Sequence, residues 1–164
     1  MQVRAIIWCM MLLASAPTSA NEILGFRIGS TVEEARIAAR QIKRELQEVN
    51  LGGDPEVVIF AVSPSGPQIS FCRGRLVMLQ MDMSGSFHEF IHSFEKNRRE
   101  YGDPRSRTLQ TYAGGMQLSS LNLEWPKPDG VMTTLSMSNF GSDKLMTASG
   151  LFQPNPCWEE SVEP

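Results

Sequence analysis

The sequence predicts an α+β domain: an antiparallel sheet with two helices packed on one face, in the order α-βββ-α-βββ(β). Three observations predict it. An apolar stripe at three- and four-residue steps begins at Val32, the helical period. Gln68–Met83, QISFCRGRLVMLQMDM, alternates apolar and polar residues around Arg73-Gly74, the signature of a strand hairpin. After Pro104 only short alternating runs follow, separated by Gly- and Pro-rich turns.

The elements follow in order. Residues 1–20 carry Arg4, an apolar run from Ala5 to Ala14 and small residues up to Ala20, the layout of a secretory leader cleaved after Ala20. The run is far shorter than the roughly 20 residues a spanning helix needs. Residues 21–152 then form one α+β domain, and 153–164 a loosely held acidic, Pro-rich tail. Asn21–Gly29 is an extended lead-in. Ser30 with Glu33, or Thr31 with Glu34, can form a capping box. The helix it opens carries Val32, Ala35, Ala39, Ile42, Leu46 and Val49 on one stripe and stops near Asn50, before Gly52-Gly-Asp-Pro55.

Glu56–Ser63 reads as a strand, Pro64–Pro67 as a turn, and the central hairpin comes next. A three-residue loop with a bulge at Gly74 puts Ile69, Phe71, Val77, Leu79 and Met81 on one face. Ser84 or Ser86 caps a second helix, Phe87–Tyr101, whose Phe87, Phe90, Ile91, Phe94 and Tyr101 share a packed face. Gly102-Asp-Pro104 ends it. The remaining strands are Ser106–Tyr112, Leu118–Trp125, Val131–Met137 and Lys144–Leu151.

Charge and cysteines narrow the function. Losing the leader removes one of 15 basic residues, Arg4, and none of 18 acidic ones, moving the net charge from −3 to −4. A mildly acidic chain of this kind is not a nucleic-acid binder, since phosphate contacts need clustered Lys and Arg. Beyond the leader no segment is apolar enough to cross a bilayer. Cys72 and Cys157 are the two cysteines left after cleavage, and an oxidising compartment favours their pairing. The expected location is the periplasm or the extracellular medium.

Gly25-Phe-Arg-Ile-Gly-Ser-Thr-Val-Glu-Glu-Ala35 resembles the opening of small envelope proteins of the SmpA/OmlA (BamE) type and of beta-lactamase-inhibitor-protein-like domains. There an IGMT-x-EEA stretch caps a helix packed on an antiparallel sheet. Phe71-Cys-Arg-Gly-Arg-Leu76, followed by a helix ending at Tyr101-Gly-Asp-Pro104, is similar to exported bacterial proteins of the same layout. The resemblance implies a non-catalytic periplasmic module that binds another envelope or secreted protein, or helps assemble the envelope. A lipobox cysteine, present in the BamE type, is missing.

One motif points to chemistry instead. His88-Glu-Phe-Ile-His92 matches H-E-x-x-H, in which two imidazoles one helical turn apart hold zinc and the intervening glutamate, Glu89, activates its water. A catalytic zinc takes three protein ligands. The extended pattern fails because position 98 is Arg, and Glu124, Glu159 and Glu160 have no supporting spacing. The helical wheel leaves His88 and His92 on a solvated flank. Zinc peptidase activity is therefore the alternative reading, with zinc as its only cofactor. Met78, Met81 and Met83 are soft ligands on one strand, yet methionine is an ordinary core filler. Lys96, Arg98, Arg99, Arg105 and Arg107 cluster around the end of the second helix and offer a patch for an acidic partner, beside the exposed sheet face. A lipid or small-molecule binder is the third reading, because Met and Phe residues populate the expected core.

Overall fold

A computed structural model describes residues 21–49, 56–83, 85–113, 116–140 and 145–159. The expected leader at 1–20, the expected turns at 52–55 and 141–143, the alternative cap at Ser84 and the end of the tail lie outside the described residues.

Two very short strands, β1 (Glu22–Ile23) and β2 (Phe26–Arg27), form a hairpin that opens the chain. Helix α1 (Val32–Gln41) follows, and Thr31 is its N-cap. The Thr31 hydroxyl accepts from the Glu34 N–H while the Glu34 carboxylate accepts from the Thr31 N–H at 2.7 Å, so the capping box is formed by this pair.

The helix stops well short of Asn50. Lys43 takes a left-handed conformation, φ 57°, its N–H donates to the Arg40 carbonyl, and the Arg44 N–H donates to Ala39. These two bonds form a Schellman ending built without glycine, which is why the sequence hides it. The chain is thereby released into β3 (Glu45–Val49), an edge strand where the period suggested more helix. Leu46 still packs on the core, now from a strand opposite Val62.

β4 (Val57–Ser63), β5 (Gln68–Cys72) and β6 (Arg75–Asp82) complete a four-strand meander. The β5–β6 turn differs from the expected one. Cys72 pairs directly with Arg75, leaving a two-residue loop in which Arg73 and Gly74 both have positive φ (49° and 75°). Such a turn matches the right-handed twist of the strands, so no bulge is needed at Gly74. The irregularity lies further in: Phe71 pairs with Leu76 and Ser70 with Met78, so Val77 is the extra residue. Leu76 therefore joins Phe71 in the core. Upstream, the Gly29 N–H donates to the Leu76 carbonyl and the Leu76 N–H to Ser30, which ties the lead-in to β6.

Helix α2 (Phe87–Tyr101) and a second meander follow: β7 (Arg105–Ala113), β8 (Met116–Pro126), β9 (Met132–Phe140) and β10 (Leu145–Phe152). A helix plus four strands thus occurs twice, one strand more in the first half than the expected order. The class is α+β. All eight long strands join one antiparallel sheet in the order β3-β4-β5-β6-β10-β9-β8-β7, so the halves meet through their last strands. At that seam Gly150 lies opposite Gln80, and a Cβ placed on it would overlap the Leu79 carbonyl. Glycine is what lets the two backbones approach.

Cross-strand partners share a face, so the register traces a single surface through Phe60, Ile69, Leu79, Leu151, Thr133 and Trp125. At one end Ala35, Ala38 and Ala39 of α1 pack with Phe60, Ile69, Phe71 and Leu79. At the other, Phe90 of α2 packs with Leu123, Trp125 and Leu135, flanked by Phe94 and Met83. Trp125 is fully buried; its indole N–H donates to the Gly102 carbonyl at 2.9 Å, closing the end of α2. Phe94 lies against its ring at 6.2 Å.

The packed face of α2 is narrower than its periodicity suggests. Phe90 is buried and Phe94 partly so, whereas Phe87 (60% exposed), Ile91 and Tyr101 are exposed. The small Phe90-Phe94 stripe suffices because Trp125 fills the space beneath it.

Cys72 and Cys157 form the disulfide expected of the pair, with Cα atoms 5.9 Å apart. Cys72 follows Phe71 in the strand, so its side chain leaves on the face away from α1. The described part of the tail crosses there: the Gln153 N–H donates to the Val77 carbonyl, and Asn155, itself buried, turns the chain into α3 (Pro156–Glu159). No helix among the described residues is long and apolar enough to cross a membrane.

Candidate interaction face

The face turned away from Phe60, Ile69 and Trp125 follows from the same register. One row of partners runs Gln68, Gln80, Gly150, Thr134, Glu124 and Arg105. The next runs Asp82, Ala148, Ser136, Asn122 and Arg107. A third brings together Met146, Ser138, Ser120 and Leu109. Small and polar side chains dominate, with Met146 and Leu109 as exposed apolar points.

The tail and its disulfide cover this face at β5, where Ser70 is fully buried. From β6 to β7 it carries no helix among the described residues. A shallow cavity of about 320 Å³ opens at the seam, lined by Gln80, Asp82, Ser136, Ser138, Met146 and Ala148. Glu124 is the most enclosed charge here. Its side chain is 13% exposed, Oε1 lies 3.5 Å from Arg107 Nε, and its buried Oε2 accepts no hydrogen bond.

The sequence-derived basic patch is divided by the fold. Lys96, Arg98 and Arg99 lie exposed on α2, where Arg98 Nε reaches Asp103 at 3.0 Å and Glu95 lies 3.9 Å from its Nη1. Arg105 and Arg107 alternate onto the open sheet face beside Glu124 and Asn122. Only the last two belong to the surface just described. The pairing of strands across the seam, which assembles that surface, leaves no local mark in the sequence; Gly150 is its one trace.

His88, Glu89 and His92 are all exposed on α2. Among the described residues no three His, Cys, Asp or Glu side chains converge to hold a metal ion. Of the methionines, Met83 packs against the Phe90-Trp125 cluster, while Met78 faces the other way opposite Ser70.

The displaced titrations lie elsewhere. Hydrogen bonds from the Thr31 backbone and hydroxyl hold the Glu34 carboxyl below its ordinary value. Asp129 is held low by the Asn21 side-chain amide and then by the Val131 N–H, a contact that ties the lead-in to the β8–β9 loop. Burial lowers Lys127, whose Nζ sits 5.7 Å above the Tyr101 ring, and a hydrogen bond to Glu100 raises the Tyr101 phenol. These groups cap and fasten elements.

Comparison with protein-family models, with curated proteins and with solved structures finds no match for this chain.

Proposed function

We propose that the chain is an exported, non-catalytic binding module of the periplasm or extracellular medium, and that it engages another envelope or secreted protein through the open sheet face. In this reading both helices cover the opposite face, and the resemblance of Gly25–Ala35 to BamE-type and beta-lactamase-inhibitor-protein-like openings belongs to the same picture. The observation that carries the proposal is the surface of five adjacent strands, β6, β10, β9, β8 and β7, over which no helix lies among the described residues. Its rows of Ser, Thr, Asn and Gln with two arginines and isolated apolar points suit a protein contact, which mixes hydrogen-bonding groups with a few anchors. No metal or cofactor enters the proposal.

The test is a paired substitution at the centre of that surface. Asn122→Arg with Ser136→Arg places two bulky charges side by side on it without touching the core. Retention of a partner from envelope extract is expected to disappear while the thermal midpoint stays within about 2 °C, as surface changes cost little. Undiminished retention by the double variant overturns the proposal.

A further inference from the structure

We propose that the edge of β7 captures an extended acidic segment of the protein partner by strand addition. The inference rests on the binding role above, yet its test reads the β7 edge alone, so a failed edge and a silent open face give different results.

β7 ends the eight-strand order and, among the described residues, pairs with β8 alone. Its register with β8 is uninterrupted from Arg105, opposite Glu124, to Ala113, opposite Met116. Nine residues of strand present about 30 Å of backbone whose outward N–H and C=O groups alternate. Proteins blunt such edges with shortness, prolines, bulges or charged side chains, and of these β7 has only the charges of Arg105 and Arg107, which an acidic strand would neutralise. The opposite edge is shorter and of the other sign: β3 has five residues and carries Glu45 and Glu48.

Residues 105–110 are exposed throughout, and Leu109 is 51% exposed. Alternation places Arg105, Arg107 and Leu109 on the open face, and Ser106, Thr108 and Gln110 on the other. Among the described residues Glu124 is the one carboxylate within 4.0 Å of Arg107, and none lies that near Arg105. With one carboxylate for two arginines, the edge keeps a net positive charge beside one apolar contact. An added antiparallel strand continues the alternation of the sheet. Read from its N-terminus, it would set an apolar residue beside Leu109, then acidic residues beside Arg107 and Arg105, at alternate positions. Backbone pairing supplies affinity in this mode and alternate side chains supply selectivity.

The test uses the full chain from Asn21 and a capped threonine-based peptide carrying one leucine and then two glutamates at alternate positions. Saturable binding is expected, with slowed amide exchange confined to 105–113. Replacing both glutamates by lysine should weaken it about tenfold or more. Two further peptides, N-methylated on alternate amides, separate strand pairing from face docking: one should bind and the other fail. Arg105→Glu with Arg107→Glu should reverse the preference toward the lysine peptide, which guards against a trivial charge effect. The proposal is overturned by no binding, by equal response to the two methylated peptides, by protection outside β7, or by a dimer of the chain alone whose β7 amides are already protected.

Discussion

Breaking the Cys72–Cys157 bond is the perturbation whose size is best fixed by the fold. The bond closes a loop of 85 residues, and in the chain-entropy account that constraint is worth about 4–5 kcal/mol. It runs from the end of β5 to the tail beyond β10, so β6, α2 and the whole second meander lie inside the closed loop, while β3 and β4 lie outside it. A domain typically has 5–15 kcal/mol in total. At roughly 2–4 °C per kcal/mol for a chain of this length, Cys72→Ser with Cys157→Ser should lower the thermal midpoint by about 8–20 °C. Among the described residues the tail's hydrogen bonds to the rest of the chain and to itself are the Gln153 bond to Val77 and the Asn155 turn, which add little to that figure. Calorimetry of the oxidised chain and the double variant at one pH measures it. A drop of under 3 °C or so, with exchange increasing only at 153–159, would refute the reasoning, because the bond would then fasten the tail without constraining the domain.

Three other outcomes follow from particular contacts. Trp125→Phe keeps the ring against Phe94 but leaves the Gly102 carbonyl without its donor, and should cost about 1–2 kcal/mol; Trp125→Ala should cost about 3–5 kcal/mol, both measured by urea unfolding. Gly150→Ala forces β10 away from β6 at the seam and should destabilise by about 2 kcal/mol or more, whereas Ser149→Ala one residue away should stay within about 0.5 kcal/mol. The Glu34 carboxyl is depressed in the fold, so its contribution is present above the unfolded value of 4.5 and is lost as pH falls through the folded one. Carbon-detected NMR titration should show Glu34 below its ordinary value in the native chain and shifted upward in Thr31→Ala.

Much of the fold was legible because its signals are local. The Thr31-Glu34 box, the Arg73-Gly74 turn, the Gly102 stop and the alternation of Leu121, Leu123 and Trp125 each lie within a few residues of chain. The losses were of two kinds. At Lys43 a residue with no evident need of a left-handed conformation ends α1, so Ile42, Leu46 and Val49 mimic a continuing helical stripe. At Phe87 and Ile91 apolar residues stay in solvent because Trp125, distant in sequence, decides how much of α2 is covered. The candidate site was hidden for the second reason: Arg105 and Arg107 were visible as charges, but their separation from Lys96, Arg98 and Arg99 depends on strand alternation and on the joining of two meanders at β6–β10.

Site-specific photo-crosslinking in living cells tests the central claim most directly. A photoreactive residue replaces Ser136 on the open face or, as control, the exposed Arg36 on α1. The account predicts a discrete protein adduct from position 136 and none from position 36. An adduct at position 36 with none at 136 would contradict it.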